Sequence, residues 1–139
     1  MSIRIGQISG SLPNGSWPTT DWVPILAKSS IALDMFPRAI GTISWIPPAV
    51  VAQVFVDAAL AETLPSGILN VTHPKPIEWN VMAEWMANSL TSSPLAIVPF
   101  EHWIAELQRL AGKDSEQYTG IVSATTRLRF SLLRSSSPL

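Results

Sequence analysis

The chain has 139 residues, 14% of them charged, a net charge of −1 and a mean hydropathy of +0.26, which predict one packed domain or less. The near-neutral charge gives no electrostatic basis for binding nucleic acid, and no apolar run approaches the roughly 20 residues that cross a bilayer. Because the chain has no cysteine, disulfides, thiolate catalysis and zinc–sulfur sites are excluded, and we expect a cytoplasmic protein.

The first predicted element is a strand over residues 3–8 that leads into a glycine-bearing loop. Ile3, Ile5 and Ile8 are β-branched residues, which are typical of a short buried strand. The glycines of the following loop, together with Pro13, predict a sharp turn. A strand, a glycine-bearing loop and a helix in this order build one wall of a ligand crevice in α/β proteins.

The first helix is predicted to begin after Asp21 and to run to about Asp34. As the N-cap, Asp21 accepts a hydrogen bond from the first helical turn, and we favour this role over contact with a substrate. Pro37 is expected to end the helix because proline cannot continue it. Trp17 and Trp22 flank the cap, where they form either an apolar staple across the loop or a stacked wall of a ligand channel.

The middle of the chain predicts two further strands separated by an apolar helix. Residues 42–46 are typical of a short strand, which Pro47 and Pro48 terminate. The helix over residues 49–62 is apolar on most sides, which predicts that it is mostly buried. Residues 67–72 are an apolar run without alternation, as expected of a strand that is covered on both faces.

The C-terminal half predicts a helix, a strand and another helix. The first of these helices carries Trp79 and Met86 on one side, and residues 95–98 form the strand. Residues 100–111 show a clear apolar stripe at helical spacing. The pattern fades over residues 113–139, which we predict to be a weakly structured tail. The order β-α-β-α-β-α-β-α is typical of the α/β class.

The chain carries, in order, the segments RIGQISG, GSW, TTDW, SWIPPAVVAQ and LNVTHPKP. This series resembles the thioester reductase (male-sterility type) domains of fungal adenylate-forming reductases, which belong to the extended short-chain dehydrogenase/reductases. The resemblance runs from Ile3 to about Arg109 and covers only the C-terminal part of such a domain. It implies that residues 1–112 form the substrate-binding part of a Rossmann-like α/β fold with a small lobe.

The resemblance also implies how the strands are distributed. Residues 3–8 and 68–72 are expected to be neighbouring parallel strands at the end of a Rossmann-type sheet. Residues 42–46 and 95–98 are expected to belong to the small substrate-binding lobe. A chain that contains only this part of the sheet leaves one edge unpaired, so we expect self-association through the exposed sheet edge.

The resemblance further implies an activity and the residues that border its site. The family reduces an acyl thioester, held on the phosphopantetheine of a carrier domain, and releases it as an aldehyde with NADPH as the reductant. Three residues are expected beside the nicotinamide: Gly6, Gln7 and Ile8. Five residues are expected to border the thioester substrate: Ser9, Gly10, Gly15, Trp17 and Asp21.

Two motifs that a reductase of this class needs are absent from the chain. Gly6, Gly10 and Gly15 do not form the G-x-G-x-x-G turn that binds a dinucleotide. Tyr118 is the only tyrosine, and Val122 stands where the Tyr-x-x-x-Lys pair requires a lysine. We therefore predict no catalytic residue, no metal site and no tight binding of NADPH, and expect the chain to be inactive alone.

Two other classes of function remain open from the sequence. One is a non-catalytic remnant or interaction module, produced by truncation of a reductase gene. The other is a peripheral membrane protein that uses its tryptophans at the lipid surface. His73 follows a predicted parallel strand, where open sheets bind ligands, but we interpret it as an ordinary loop histidine.

Overall fold

The computed structural model describes residues 2–63 and 67–112. The elements in chain order are β1 Ser2–Ile5, α1 Trp22–Leu33, β2 Met35–Arg38, β3 Thr42–Ile43, α2 Pro48–Leu60, β4 Ile68–Val71, β5 Ile77–Glu78, α3 Trp79–Ser89, β6 Ala96–Pro99 and α4 Phe100–Ala111. This mixture of helices and parallel strand pairs confirms the predicted α/β class. In the part of the chain that the structure describes, no helix has both the length and the apolarity to cross a membrane. The predicted tail over residues 113–139 lies outside the described residues.

The described residues divide into two compact units. The first unit comprises residues 2–18 together with Ser44–Pro76, apart from 64–66, and contains β1, α2 and β4. The second unit comprises Thr19–Ile43 and the described residues from Ile77 onward, and contains the other elements. The strands predicted for the Rossmann-type sheet therefore lie in the first unit. Of the two strands predicted for the small lobe, residues 95–98 lie in the second unit, whereas residues 42–46 are divided, with 42–43 in the second unit and 44–46 in the first.

The first unit is built on a parallel pair of strands. β1 pairs with β4, with Ser2 opposite Ile68 and Ile5 opposite Val71, which confirms the predicted neighbouring parallel strands. Both strands are shorter than predicted, and Ile8 makes a separate parallel bridge beyond the end of β1. One face of the pair packs on α2 and the chain before it, through Ile3, Leu69, Val71, Ile46, Val51 and Val54.

The second unit contains two small sheets and three helices. β2 and β6 are parallel, whereas β3 and β5 are antiparallel. Helices α1, α3 and α4 all contact β2, which therefore lies at the centre of this unit. The largest fully buried side chains of the second unit come from α1, β2, α3 and α4, and they are Leu26, Phe36, Trp79, Trp103 and Leu107.

The start and the end of α1 are as predicted, but Pro37 does not terminate the helix. The carboxylate of Asp21 accepts a hydrogen bond of 2.8 Å from the backbone N–H of Trp22, which confirms Asp21 as the N-cap. The helix ends at Leu33, and Asp34 follows in the left-handed region with φ of 54°. Pro37 lies inside β2, a strand that the sequence did not predict. A two-stranded sheet tolerates this proline because each strand is an edge strand.

The prediction that α2 is mostly buried is wrong. Val51 is the buried residue of this helix, whereas the exposed fractions of Val50, Phe55 and Val56 are 45%, 47% and 49%. β4 is also not covered on both faces, since Ile68 is 55% exposed. The apolar composition of a helix predicts that its surface is buried. It does not show whether the residues that bury this surface belong to the same chain.

Candidate crevice at the strand ends of the first unit

The candidate site lies where β1 and β4 end. The backbone N–H of Gly6 donates to the carbonyl of Val71 at 2.9 Å and continues the ladder one residue past β1. The chain that follows pairs with a different segment. The N–H of Ile46 donates to the carbonyl of Gln7 at 3.0 Å, and the N–H of Ser9 donates to the carbonyl of Ile46 at 2.9 Å.

This segment, residues 44–46, is hydrogen-bonded to the continuations of both strands. Past the end of β4, the N–H of His73 donates to the carbonyl of Ser44 at 3.3 Å. Three stretches of backbone therefore meet at the carboxyl ends of two parallel strands. We call this arrangement the strand-end crevice. Open α/β sheets bind their ligands in such a position.

Gly6 allows a close approach between the two strands. A Cβ atom on Gly6 would lie 3.0 Å from Cγ2 of Thr72, tighter than an ordinary van der Waals contact. The space beside Gly6 is thus occupied by a neighbouring side chain. Gln7 and Ile8 follow it at the crevice, and the Gln7 amide donates to the Ile8 carbonyl at 2.9 Å. Contact of these three residues with a nicotinamide stays a prediction.

The loop after Ser9 is compact and closes on itself. The N–H of Ser11 donates to the carbonyl of Ser16 at 2.9 Å, and the N–H of Gly15 donates to the carbonyl of Ser11 at 2.7 Å. Gly15 has φ of 65°, a conformation that favours glycine. The Asn14 side chain accepts from the N–H of Ser16 at 3.0 Å. These bonds hold the end of the loop in one position.

Two tryptophans form an aromatic pair at this loop. The rings of Trp17 and Trp45 have centroids 5.4 Å apart and meet edge to face at 83°, an arrangement that aromatic rings prefer. Both side chains are partly buried. The sequence singled out Trp17 but not Trp45, because their pairing joins residues far apart in the chain. The nearest sequence signal for Trp45 was its place in the predicted strand before Pro47.

Gly10 lies directly under Trp17. A Cβ atom on Gly10 would be 3.0 Å from Cε3 of Trp17 and 3.2 Å from the carbonyl oxygen of Ser16. We expect G10A to lower the free energy of unfolding by about 1–3 kcal/mol, the usual cost of overpacking, and to shift the tryptophan emission. Urea denaturation followed by fluorescence measures both. G112A is the control, since a Cβ atom there meets nothing closer than 3.5 Å. Equal stability of G10A and wild type would contradict this packing.

The five predicted substrate residues do not share one unit. Ser9, Gly10, Gly15 and Trp17 belong to the loop of the first unit, whereas Asp21 belongs to the second unit as the α1 cap. The Ser9 hydroxyl donates to the carbonyl of Gly10 at 3.1 Å, which fixes its position at the crevice. A role of these residues at a substrate stays a prediction.

His73 lies where the sequence predicted, just past the carboxyl end of a parallel strand. It is exposed at the end of β4, and its Nδ1 accepts a hydrogen bond of 3.1 Å from the backbone N–H of Lys75. Nδ1 also lies 3.0 Å from the carbonyl oxygen of Lys75, to which it donates in the other tautomer of the ring. The described residues contain no group of three His, Cys, Asp or Glu side chains that holds a metal ion.

The pyrophosphate of a dinucleotide binds to free backbone N–H groups at a helix N-terminus, away from negative charge. The helix N-termini in the described part of the chain do not fit this requirement. At α1 the Asp21 carboxylate already accepts from the first N–H. Helix α2 begins with Pro48, which has no N–H to donate. Glu78 is the N-cap of α3, and Glu101 lies in the first turn of α4. The crevice brings together an imidazole, hydroxyls, backbone groups and two indoles, whose chemistry is suited to binding and orienting a ligand.

Comparison with known proteins relates the chain to reductases. No family model matches it. The adenylate-forming reductase Nps11 of Serpula lacrymans var. lacrymans is 44% identical over 115 residues, which are 79% of this chain and 10% of that protein. Nps9 of the same organism is 36% identical over 129 residues, 88% of this chain and 12% of that protein. The non-reducing polyketide synthase pkiA of Emericella nidulans is 31% identical over 99% of this chain and 5% of its own length.

A solved structure shares the fold. The terminal R domain from the myxalamid PKS-NRPS biosynthetic pathway superposes with a TM-score of 0.73 at 21% identity, covering 97% of this chain and 32% of that domain. This likeness shows that the chain has the fold of part of that domain. The chain belongs to the family of reductase domains found in fungal adenylate-forming reductases and polyketide synthases, and it covers their C-terminal part.

Proposed function

We propose that the chain forms the substrate-binding part of an NADPH-dependent thioester reductase, which releases a carrier-bound acyl thioester as an aldehyde. The observation that carries the proposal is the strand-end crevice with the Trp17–Trp45 pair at its loop. The reductase relatives support the reaction class, and reductase domains of this family use NAD(P)H in general. The chain spans 10% and 12% of the two reductases, so the complete reaction belongs to a larger protein.

In this proposal the loop and the strand end have different roles. Gly6, Gln7 and Ile8 lie along the nicotinamide, and the loop from Ser9 to Trp17 borders the thioester. The two indoles supply apolar surface to the acyl chain or the pantetheine arm. The phosphopantetheine-bound acyl group on a carrier domain is therefore the proposed partner. No proton donor is assigned, because the chain has no Tyr-x-x-x-Lys pair.

The proposal is tested with an acyl thioester of N-acetylcysteamine, a short analogue of the pantetheine arm. Saturation-transfer NMR with the whole chain should detect binding, and W17A should weaken it by about tenfold, since loss of one aromatic contact costs about 1.4 kcal/mol. W85A is the matched control, because Trp85 is 61% exposed on α3 in the second unit. Equal affinities of W17A and wild type, with both folded by circular dichroism, would reject the crevice as the substrate site.

A second candidate function is a non-catalytic interaction module. It is favoured by the four described helix N-termini, none of which fits a pyrophosphate. The two candidates differ in the same experiment. A substrate-binding part binds the thioester probe at the crevice, whereas an interaction module does not bind it.

A further inference from the structure

A short loop that carries a lysine leads away from the strand-end crevice. It follows β4 and runs from His73 to Pro76, and we call it the 73–76 loop. The loop begins at the crevice, because the backbone N–H of His73 donates to the carbonyl of Ser44 at 3.3 Å. Trp45, one ring of the aromatic pair, directly follows Ser44 in the chain. Lys75 lies two residues further along the loop, which places its Cα within about 12 Å of that carbonyl oxygen.

The 73–76 loop holds the backbone of Lys75 in a defined position. Pro74 and Pro76 fix their own φ angles, and each also restricts the residue before it, here His73 and Lys75. The Nδ1 atom of His73 lies 3.1 Å from the backbone nitrogen of Lys75 and 3.0 Å from its carbonyl oxygen, so it bonds to one of them in either tautomer. Binding a ligand through the Lys75 side chain therefore costs little backbone entropy.

Lys75 brings a positive charge to the crevice that no nearby carboxylate of the first unit offsets. The other charged side chains among the described residues of this unit are Arg4, Asp57 and Glu62. Helix α2 begins at Pro48, directly after the crevice segment, so Asp57 lies about 14 Å further along its axis. Glu62 follows the end of the helix, where the chain returns to the start of β4, opposite the crevice. Salt screens exposed charges over about 8–10 Å, so neither carboxylate weakens the charge at the crevice much.

We propose that Lys75 binds the phosphate group at the far end of the pantetheine arm, when the thioester lies at the loop from Ser9 to Trp17. This inference rests on the proposed function and adds a phosphate contact to it. The side chain of Lys75 is exposed and forms no ion pair within the described part of the chain, even with Glu78 three residues on. Lysine is a common ligand of phosphate groups in proteins. An extended pantetheine arm is long enough to reach from the crevice to the 73–76 loop.

The phosphate contact is tested with two thioesters of the same acyl group, one of pantetheine and one of 4′-phosphopantetheine. Titration of the whole chain by saturation-transfer NMR at low salt should show that the phosphorylated probe binds about three- to fivefold more tightly, as is typical of an exposed ion pair. K75Q should abolish this difference, whereas K75R keeps the charge and should retain most of it. The difference should also shrink as the salt concentration rises.

K28Q is the matched control, because Lys28 is an exposed lysine of α1 in the second unit. This variant should keep the full difference between the two probes. Equal affinities of the two probes for the wild-type chain would overturn the phosphate contact and leave the proposed substrate site intact. An equal loss in K28Q and K75Q would also overturn it, since the attraction would then come from the overall charge. Failure of both probes to bind would reject the substrate site and the phosphate contact together.

Discussion

The W79A variant is expected to lose about 3–5 kcal/mol of unfolding free energy, the cost of truncating a large buried aromatic residue. Trp79 is fully buried and stacks on Trp22, with ring centroids 6.3 Å apart. Its indole N–H also donates to the carbonyl of Pro37 at 3.0 Å, inside the second unit. Because domains have only about 5–15 kcal/mol of stability, this loss is large enough to unfold a substantial fraction of the chain.

Chemical denaturation followed by far-ultraviolet circular dichroism measures this loss. W79F keeps the aromatic ring but leaves the carbonyl of Pro37 buried without its donor, so we expect an intermediate loss of about 1–3 kcal/mol. W85A is expected to change stability by less than about 0.5 kcal/mol, because Trp85 is 61% exposed. A W79A variant as stable as W85A would contradict the buried position of Trp79.

The chain alone is expected to oxidise no NADPH in the presence of an acyl thioester, and to bind NADPH with a dissociation constant above about 1 mM. Most affinity for a dinucleotide comes from its pyrophosphate at a glycine-rich helix N-terminus. In the described chain those positions carry Asp21, Pro48, Glu78 and Glu101 at or near the first turn. Carboxylates there repel the pyrophosphate, and a proline offers no donor.

Fluorescence titration of NADPH and loss of its absorbance report binding and turnover separately. The adenylate-forming reductase Nps11, whose matching segment is 44% identical to this chain, is measured in parallel as the full-length reference. Micromolar binding by the chain alone would show that a phosphate site lies elsewhere in it. Turnover would show that a proton donor exists without the Tyr-x-x-x-Lys spacing.

The elements with strong local signals were predicted from the sequence. The resemblance, together with the apolar runs over residues 3–8 and 68–72 and the long helical crossover between them, predicted two neighbouring parallel strands, and the structure pairs β1 and β4 in parallel. The carboxylate of Asp21 predicted the start of α1 because its hydrogen bond is local. Pro37 was misleading, since proline ends helices far more often than it lies in a strand. β5 has only two residues, too few for any periodicity.

The candidate site was predicted in part, and the missing part depends on tertiary contacts. The loop from Ser9 to Trp17 was located by its glycines and by its position after a strand. Trp45 was missed because only the fold brings its ring to 5.4 Å from Trp17. The exposure of α2 was missed for a similar reason. The apolar residues of this helix predicted burial, but whether they are buried depends on tertiary contacts that the sequence does not show.

The two units are interleaved along the chain, and this imposes an order on folding during synthesis. The chain leaves the first unit after Pro18, returns to it at Ser44 and leaves it again after Pro76. β1 is translated first but pairs with β4, so it must wait until residue 71 has emerged from the ribosome. At about 5–20 residues per second this delay lasts several seconds, during which β1 is not paired with β4. A chaperone that binds apolar nascent segments therefore has a longer opportunity at β1 than at β4.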